Sequence, residues 1–410
     1  MEKKSWIGLD KIILIIGLII YGTGFSLLYI IFAPLSRSIG LSTNQFGILI
    51  AISNVVLVFS SYFWGKKSQS IGRKPVFVIG LFSYAIAYAL FAFGIQIGLW
   101  GLLASWQLFS LLFVIRLLYG GLIGGIQPAA TAYMSDSTDA NTRIKGMALI
   151  GMASGIGTMI GPIIGGALVF IHPIFPMYFG AGIAVLGGIL AMIFLIEPLK
   201  HAPVSEPVNL KFYDKRIMPY LIGWALVFLV FTSTQVIAAF FIEDQLGVST
   251  QSEIIKATSI SLLSMALTTT LMQAVVLQII NVSPRTLLRL CFFIFGAVLF
   301  VIPMAKSLGY FYLSFAGIGI AFSMVTPGLN SAATLSVETH EQGEVAGLLA
   351  AAPVVGMIFG PTIGALLYTA DPSYPFLFGS LIAIALGIYC LLYTSPSPRD
   401  ATLSRMPWCG

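Results

Sequence analysis

The sequence predicts an all-α integral membrane protein with twelve transmembrane helices in two pseudo-symmetric six-helix bundles. Three observations carry that prediction. Apolar residues make up 58% of the 410 residues and charged residues only 9%, against soluble averages of about 45–50% and about 25%. The apolar residues gather into runs of bilayer-crossing length separated by short polar loops. A run rich in Gly and Pro, 157–166, also returns at 356–365, with Gly161 and Gly360 standing 199 residues apart, as do Pro162 and Pro361.

At about 20 apolar residues per crossing, the first six spans lie near 12–34, 45–65, 75–96, 106–133, 146–170 and 174–196. The second six lie near 217–242, 254–280, 286–305, 309–335, 344–368 and 374–393. The first run follows Lys3, Lys4 and Lys11 but has no small-residue cleavage site leading to a soluble domain, so it reads as a retained helix and not a signal peptide. The stretch 197–216 carries Pro198, Pro203, Pro207 and four cations with no apolar run. The expected organisation is an N-terminal bundle over 1–196, a cytoplasmic linker over 197–216 and a C-terminal bundle over 217–393. After Tyr393 the apolar pattern stops, and 394–410 reads as a non-native extension resembling translated adapter sequence, or as a genuine cytoplasmic tail.

Lys and Arg collect in cytoplasmic loops of membrane proteins. With the N-terminus inside, the outside holds only Arg37, Lys256 and Lys306, which predicts both termini cytoplasmic in a multi-pass plasma (cell inner) membrane protein. The net charge of +6 is spread over short loops and never forms a long basic run, which argues against nucleic acid as a partner. Cys291, Cys390 and Cys409 have no metal or disulfide spacing. His172, His201 and His340 are too scattered for a catalytic triad, and there is no phosphate-binding loop. The expectation is therefore no enzyme, no cofactor and no metal, with the lipid bilayer as surroundings and the chain working as a monomer.

The repeat extends beyond its two glycine runs. At the same offset of 199, Pro128, Pro173, Pro176, Phe179 and Gly180 are answered by Pro327, Pro372, Pro375, Phe378 and Gly379. Earlier in each half, Ile39-Gly-Leu-Ser-Thr43 is answered by Leu246-Gly-Val-Ser-Thr250 at an offset of 207. Gly157, Gly161 and Gly165 recur every four residues, with Gly166 and the bend of Pro162 alongside; Gly356, Gly360, Pro361 and Gly364 repeat the pattern. Such a small-residue face lets a neighbouring helix backbone approach closely. Parallel six-helix halves are a transporter plan with a midplane substrate site between them.

These motifs give the resemblance. Gly65-Lys-Lys-Ser-Gln69-Ser-Ile-Gly72-Arg73-Lys74 resembles the loop 2–3 signature of the major facilitator superfamily, and Leu112-xxx-Arg116-xx-Tyr119-Gly120 its span 4 motif. Gly157-xxx-Gly161-Pro162-xx-Gly165-Gly166 resembles the span 5 motif of its twelve-helix drug:proton antiporter group. The likeness covers nearly the whole chain and implies a secondary active efflux transporter of small amphiphilic molecules, coupled to protons and working by alternating access. A metabolite symporter or uniporter of the same fold, or a non-transporting membrane receptor, is the alternative.

The signature's usual Asp is Gln69 here, and by resemblance Arg73 is partnered by Asp136. Lys66, Lys67, Arg73 and Lys74 would face Glu338, Glu341 and Glu344 across the halves as a charged latch, with Gly65 and Gly72 as conformational positions of the same motif. Arg116 is the one Lys or Arg well inside a span, where an arginine costs about 2.5–3.5 kcal/mol. No acidic residue falls mid-span, which favours neutral, zwitterionic or anionic substrates. In the superfamily spans 1, 4, 7 and 10 line the pathway, which makes Tyr21, Tyr119, Gln127, Gln235 and Asn330 the further candidates for substrate contact or coupling.

Overall fold

A computed structural model describes residues 8–138, 143–198, 212–279, 283–338 and 341–393. Most of the linker (199–211) and the whole tail (394–410) lie outside the described residues, as do Lys3, Lys4, His201, His340 and the side chain of Glu344. The chain runs α1 (Leu9–Ser38), α2 (Thr43–Ile71), α3 (Arg73–Leu99), α4 (Ser105–Ile123), α5 (Ile126–Asp136), α6 (Arg143–Leu168) and α7 (Phe175–Phe194). It continues with α8 (Met218–Leu246), α9 (Gln251–Ile279), α10 (Pro284–Val301), α11 (Leu308–Thr334), α12 (Gln342–Ala370) and α13 (Tyr374–Tyr393). Among the described residues twelve stretches are long and apolar enough to cross a membrane, α4 and α5 together making one of them. The start of α1 and the end of α13 mark the near end of the molecule, and its opposite is the far end.

The fourth span, expected as one helix, breaks at Gly124–Gly125. A Cβ on Gly124 would strike Ser60 Oγ and stand 2.8 Å from the Ser61 nitrogen, and one on Gly125 would meet Val76 at 2.7 Å. Only glycine fits so close to α2 and α3. Two α2 side chains occupy the carbonyls just before the break: Ser60 Oγ donates to Gly120 O (2.6 Å) and Trp64 Nε1 to Gly121 O (2.9 Å). The break thus has a cause of the usual kind, glycines with side chains inserted at the helix ladder.

The repeated sequence signals become repeated local structure. Gly40 and Gly247 both adopt positive φ, 76° and 69°, where a side chain would be strained. Ser42 then caps α2, accepting from the Gln45 nitrogen while Gln45 accepts from the Ser42 nitrogen. The α1–α6 and α8–α12 pairs are likewise built alike. A Cβ at Gly157 would stand 2.9 Å from Gly22 Cα, and one at Gly161 would stand 2.8 Å from the carbonyl of Thr23, both on α1. On α8, the Leu229 carbonyl would be 2.6 Å from a Cβ at Gly360 and Ser233 Cα 3.0 Å from one at Gly364. Gly356 presses directly on the Ala225–Leu229 backbone, and Thr232 Oγ1 donates to its carbonyl at 3.2 Å.

The two sets of six spans touch through α2 against α12 and α6 against α9, with α1 also on α8 and α9. Each of the two main crossings pairs a glycine with something larger. Gly47 of α2 lies against Pro361 O and Ala365, and Gly165 and Gly166 of α6 lie against Ser259 of α9. Ala365, where the second glycine run departs from the first, therefore sits opposite a glycine on the neighbouring helix.

Candidate functional site

Arg116 lies on α4, 3% exposed, and lines a pocket together with Tyr21, Phe25, Tyr29, Ser53, Asn54 and Tyr119. Its Nε donates to Leu49 O at 3.0 Å, its Nη2 donates to Ser53 Oγ, and its guanidinium stacks 4.7 Å above the Tyr119 ring and 5.4 Å from that of Phe91. Hydrogen bonds of a charged group contribute about 1.5–3 kcal/mol each, and the stacking about 0.5–2 kcal/mol. These offset the about 2.5–3.5 kcal/mol of placing arginine mid-span. Arg116 therefore anchors α4 to α2, one step along the same seam from the Ser60 and Trp64 bonds. Among the described residues its Nη1 has no hydrogen-bond partner.

Tyrosines surround this cation. Tyr84 stacks on Tyr88 (5.2 Å) and meets Tyr21 (6.3 Å) and Tyr119 (6.2 Å), while Tyr88 Oη donates to Gly24 O at 3.0 Å. Among the described residues, the hydroxyls of Tyr29 and Tyr84 are buried without a hydrogen-bond partner, as is Oε1 of Gln235 on α8. The pocket is thus rich in donors and aromatic faces, and no carboxylate lines it. Of the residues expected near substrate, Tyr21, Tyr119 and Arg116 are brought together here. Asn330 is elsewhere, accepting from Trp224 Nε1 at 3.1 Å, and Gln127 is exposed in the first turn of α5.

The halves are tied at the far end. Arg37 of α1 donates through Nη1 and Nη2 to the two carboxylate oxygens of Asp244 on α8 (2.5 and 2.7 Å) and through Nη1 to Glu243 (3.1 Å). Tyr368 Oη of α12 donates to Asp244 at 2.8 Å, and Arg37 also lies 4.7 Å over the Phe240 ring. Gln251 bonds to Ser38, Thr369 to Asn44 (3.3 Å), and deeper in the molecule Asn54 Nδ2 donates to Met357 O (2.7 Å). Sequence reasoning placed Arg37 as an outside charge and missed this bridge. The signal was there: Arg37 and Asp244 occupy the same position of the 207-residue repeat with opposite charge.

At the near end the expected latch takes another form. Arg73 pairs with Asp136 inside the first half (2.9 Å) and donates to Ser68 Oγ (2.6 Å), while Glu341 pairs with Arg216 inside the second (2.9 Å). Both pairs lie within their own halves in a conformation joined at the far end. Gln69 is exposed, and its buried neighbour Ser68 receives Arg73 instead. There is almost no loop between α2 and α3, only Gly72 at φ 106°. Glu197 caps α3 there, accepting from the Arg73 and Lys74 nitrogens at 2.6 and 2.9 Å. A carboxylate at a helix N-terminus meets free N–H donors and the positive dipole end. A Cβ on Gly72 would stand 2.9 Å from that carboxylate. A Cβ at Gly65 would stand 3.6 Å from Pro128 of α5, and Glu338, exposed, gives its backbone N–H to the Glu341 carboxylate at 3.0 Å.

Asp214 and Arg216 lie outside the spans. Hydrogen bonds from Arg216 hold the Asp214 carboxyl below the usual carboxylate range, and hydrogen bonds to Asp214 and then Glu341 push the Arg216 guanidinium up.

Comparison with known proteins decides the family. The Major Facilitator Superfamily profile matches residues 14–352 and 256–407. The chain belongs to the Major Facilitator Superfamily. Like other members of this superfamily it is a transporter and not an enzyme. It is 26% identical to multidrug resistance protein 1 of Bacillus subtilis (strain 168), over 95% of this chain and 96% of that one. It is also 26% identical to the class B tetracycline resistance protein of Escherichia coli, over 85% and 84%. Among solved structures it resembles an inward-facing, occupied bacterial homologue of the human lysosomal transporter Spinster, with a TM-score of 0.72 at 14% identity, covering 95% of this chain and 97% of that one. That superfamily fold, with twelve apolar spans, makes it a multi-pass membrane protein.

Proposed function

We propose that this chain is a proton-coupled exporter of small amphiphiles working as a monomer by alternating access, with anionic, zwitterionic or neutral molecules preferred to cations. The substrate preference rests on one observation: a buried guanidinium among tyrosines, with no carboxylate lining the pocket. The direction of transport rests on likeness to the multidrug and tetracycline resistance proteins over most of the chain. The two six-helix bundles, 1–196 and 217–393, rock against each other about the α2–α12 and α6–α9 crossings. The excess of Lys and Arg at the near end supports a cytoplasmic location for both termini, so the far-end bridge closes the outside.

Inverted membrane vesicles test this. Energised vesicles should accumulate an anionic fluorescent amphiphile in preference to a cationic one of similar size, and a protonophore should abolish the uptake. Preference for the cation would overturn the substrate assignment. Uptake indifferent to the protonophore would remove the proton coupling.

A further inference from the structure

A second cavity, of about 160 Å³, opens at the near end between α8, α10, α11 and α13. Its walls are apolar, made by Phe292, Leu288, Leu329, Leu386 and Ala332, with Lys215 and Arg216 at the rim. It is separate from the Arg116 pocket and turned away from the other half: α10 packs on α11 and α13, and α13 on α8, α10 and α12. A transported molecule between the halves does not pass through it.

The rim carries the residue types of a membrane surface. Phe212 and Tyr213, 70% and 55% exposed and in edge contact at 5.2 Å, immediately precede the cations. Exposed aromatics next to Lys and Arg are the usual mark of the headgroup level. Arg216 is committed to Asp214 and Glu341. Lys215 is exposed and, among the described residues, has no ion-pair partner.

From this arrangement we propose that the cavity is a binding site for an anionic phospholipid of the near-end leaflet. The phosphate meets Lys215 at the rim and the upper part of one acyl chain enters between Phe292 and Leu386. Polarity runs in the right order, with the cation at the surface and the apolar walls deeper, which matches how a leaflet lipid is oriented. The size also fits. An apolar cavity of about 150 Å³ holds benzene, so this one has room for about six carbons of a chain. Basic pockets between spans on the cytoplasmic side are a known way to hold acidic headgroups.

The test is thermal stability and native mass spectrometry of the full chain in detergent, with added phosphatidylglycerol, phosphatidylcholine of the same chains, or soluble glycerol phosphate. Phosphatidylglycerol should bind in a single tight step and raise the melting temperature, and the other two should not. Lys215→Gln should weaken that binding about fivefold, the effect of one surface cation on an acidic lipid. Ala332→Phe, which fills the cavity, should abolish the tight step; if that variant does not fold, Lys215→Gln decides alone. Equal binding of the two lipids, an effect of glycerol phosphate alone, or undiminished binding by Lys215→Gln would each overturn the assignment.

Discussion

Arg37 holds Asp244 with both terminal nitrogens, at 2.5 and 2.7 Å, and so joins α1 to α8 across the two halves. The side chains are each about 30% exposed, so the bridge is a partly screened surface pair. Its removal should shift the balance between far-end-closed and far-end-open forms by about 1 kcal/mol, roughly fivefold. In Arg37→Gln, a cysteine placed at buried Thr43 should react with a membrane-impermeant thiol reagent about that much faster, in a background lacking the three native cysteines. An unchanged labelling rate would mean that the bridge does not hold the far end shut.

Arg116 has two separable tasks, tying α4 to α2 through its hydrogen bonds and lining the pocket with its cation. Lysine cannot make the forked contact to Leu49 O and Ser53 while stacking on Tyr119. Arg116→Lys should lower transport at least about tenfold, the equivalent of one charged hydrogen bond. If melting temperature falls in parallel the anchor dominates, and if transport alone falls the pocket does. Transport at the wild-type rate would remove Arg116 from both tasks.

Two glycines two residues apart on α6 should respond oppositely to alanine. Gly155 has open space around it, so Gly155→Ala should leave stability unchanged or raise it by up to about 1 kcal/mol. A Cβ at Gly157 would stand 2.9 Å from Gly22 Cα and press on the Ile19 carbonyl, so Gly157→Ala should cost about 1–3 kcal/mol by overpacking. Melting of the two purified variants in detergent separates them.

Asp214 gives a pH test with a definite sign. Its carboxyl is held below the ordinary range by Arg216, so its link is present at neutral pH and is lost as pH falls through the depressed value. Asp214→Asn should therefore melt below the wild type at pH 7, and the difference should vanish in acid. A difference that persists in acid would show that the residue acts through its shape and not its charge.

The spans were legible because each is a long apolar run, and the repeat because glycine and proline mark positions that tolerate little else. Gly161 and Gly360 could be read as a packing face from spacing alone, and each does lie against a helix backbone. The partners of buried charges were not legible. Ser53, Ser68 and Glu197 are ordinary residues until folding sets them against Arg116, Arg73 and the start of α3. The near-end latch depends on more than sequence: charge sign shows which residues attract, while the conformation decides whether Arg73 meets Asp136 in its own half, as here, or an acid in the other. The Gly124–Gly125 break was missed because apolar periodicity runs through it without interruption.

The closure at Arg37 and Asp244 also says something about ancestry. In a symmetric dimer of identical six-helix chains, a residue on the twofold axis meets its own copy, and two arginines or two aspartates there would repel. A salt bridge between equivalent positions needs unlike genes, or one gene duplicated, fused and free to diverge. This far-end bridge is therefore a device that a homodimeric forerunner could not have possessed, and it dates from after the two halves had diverged in sequence.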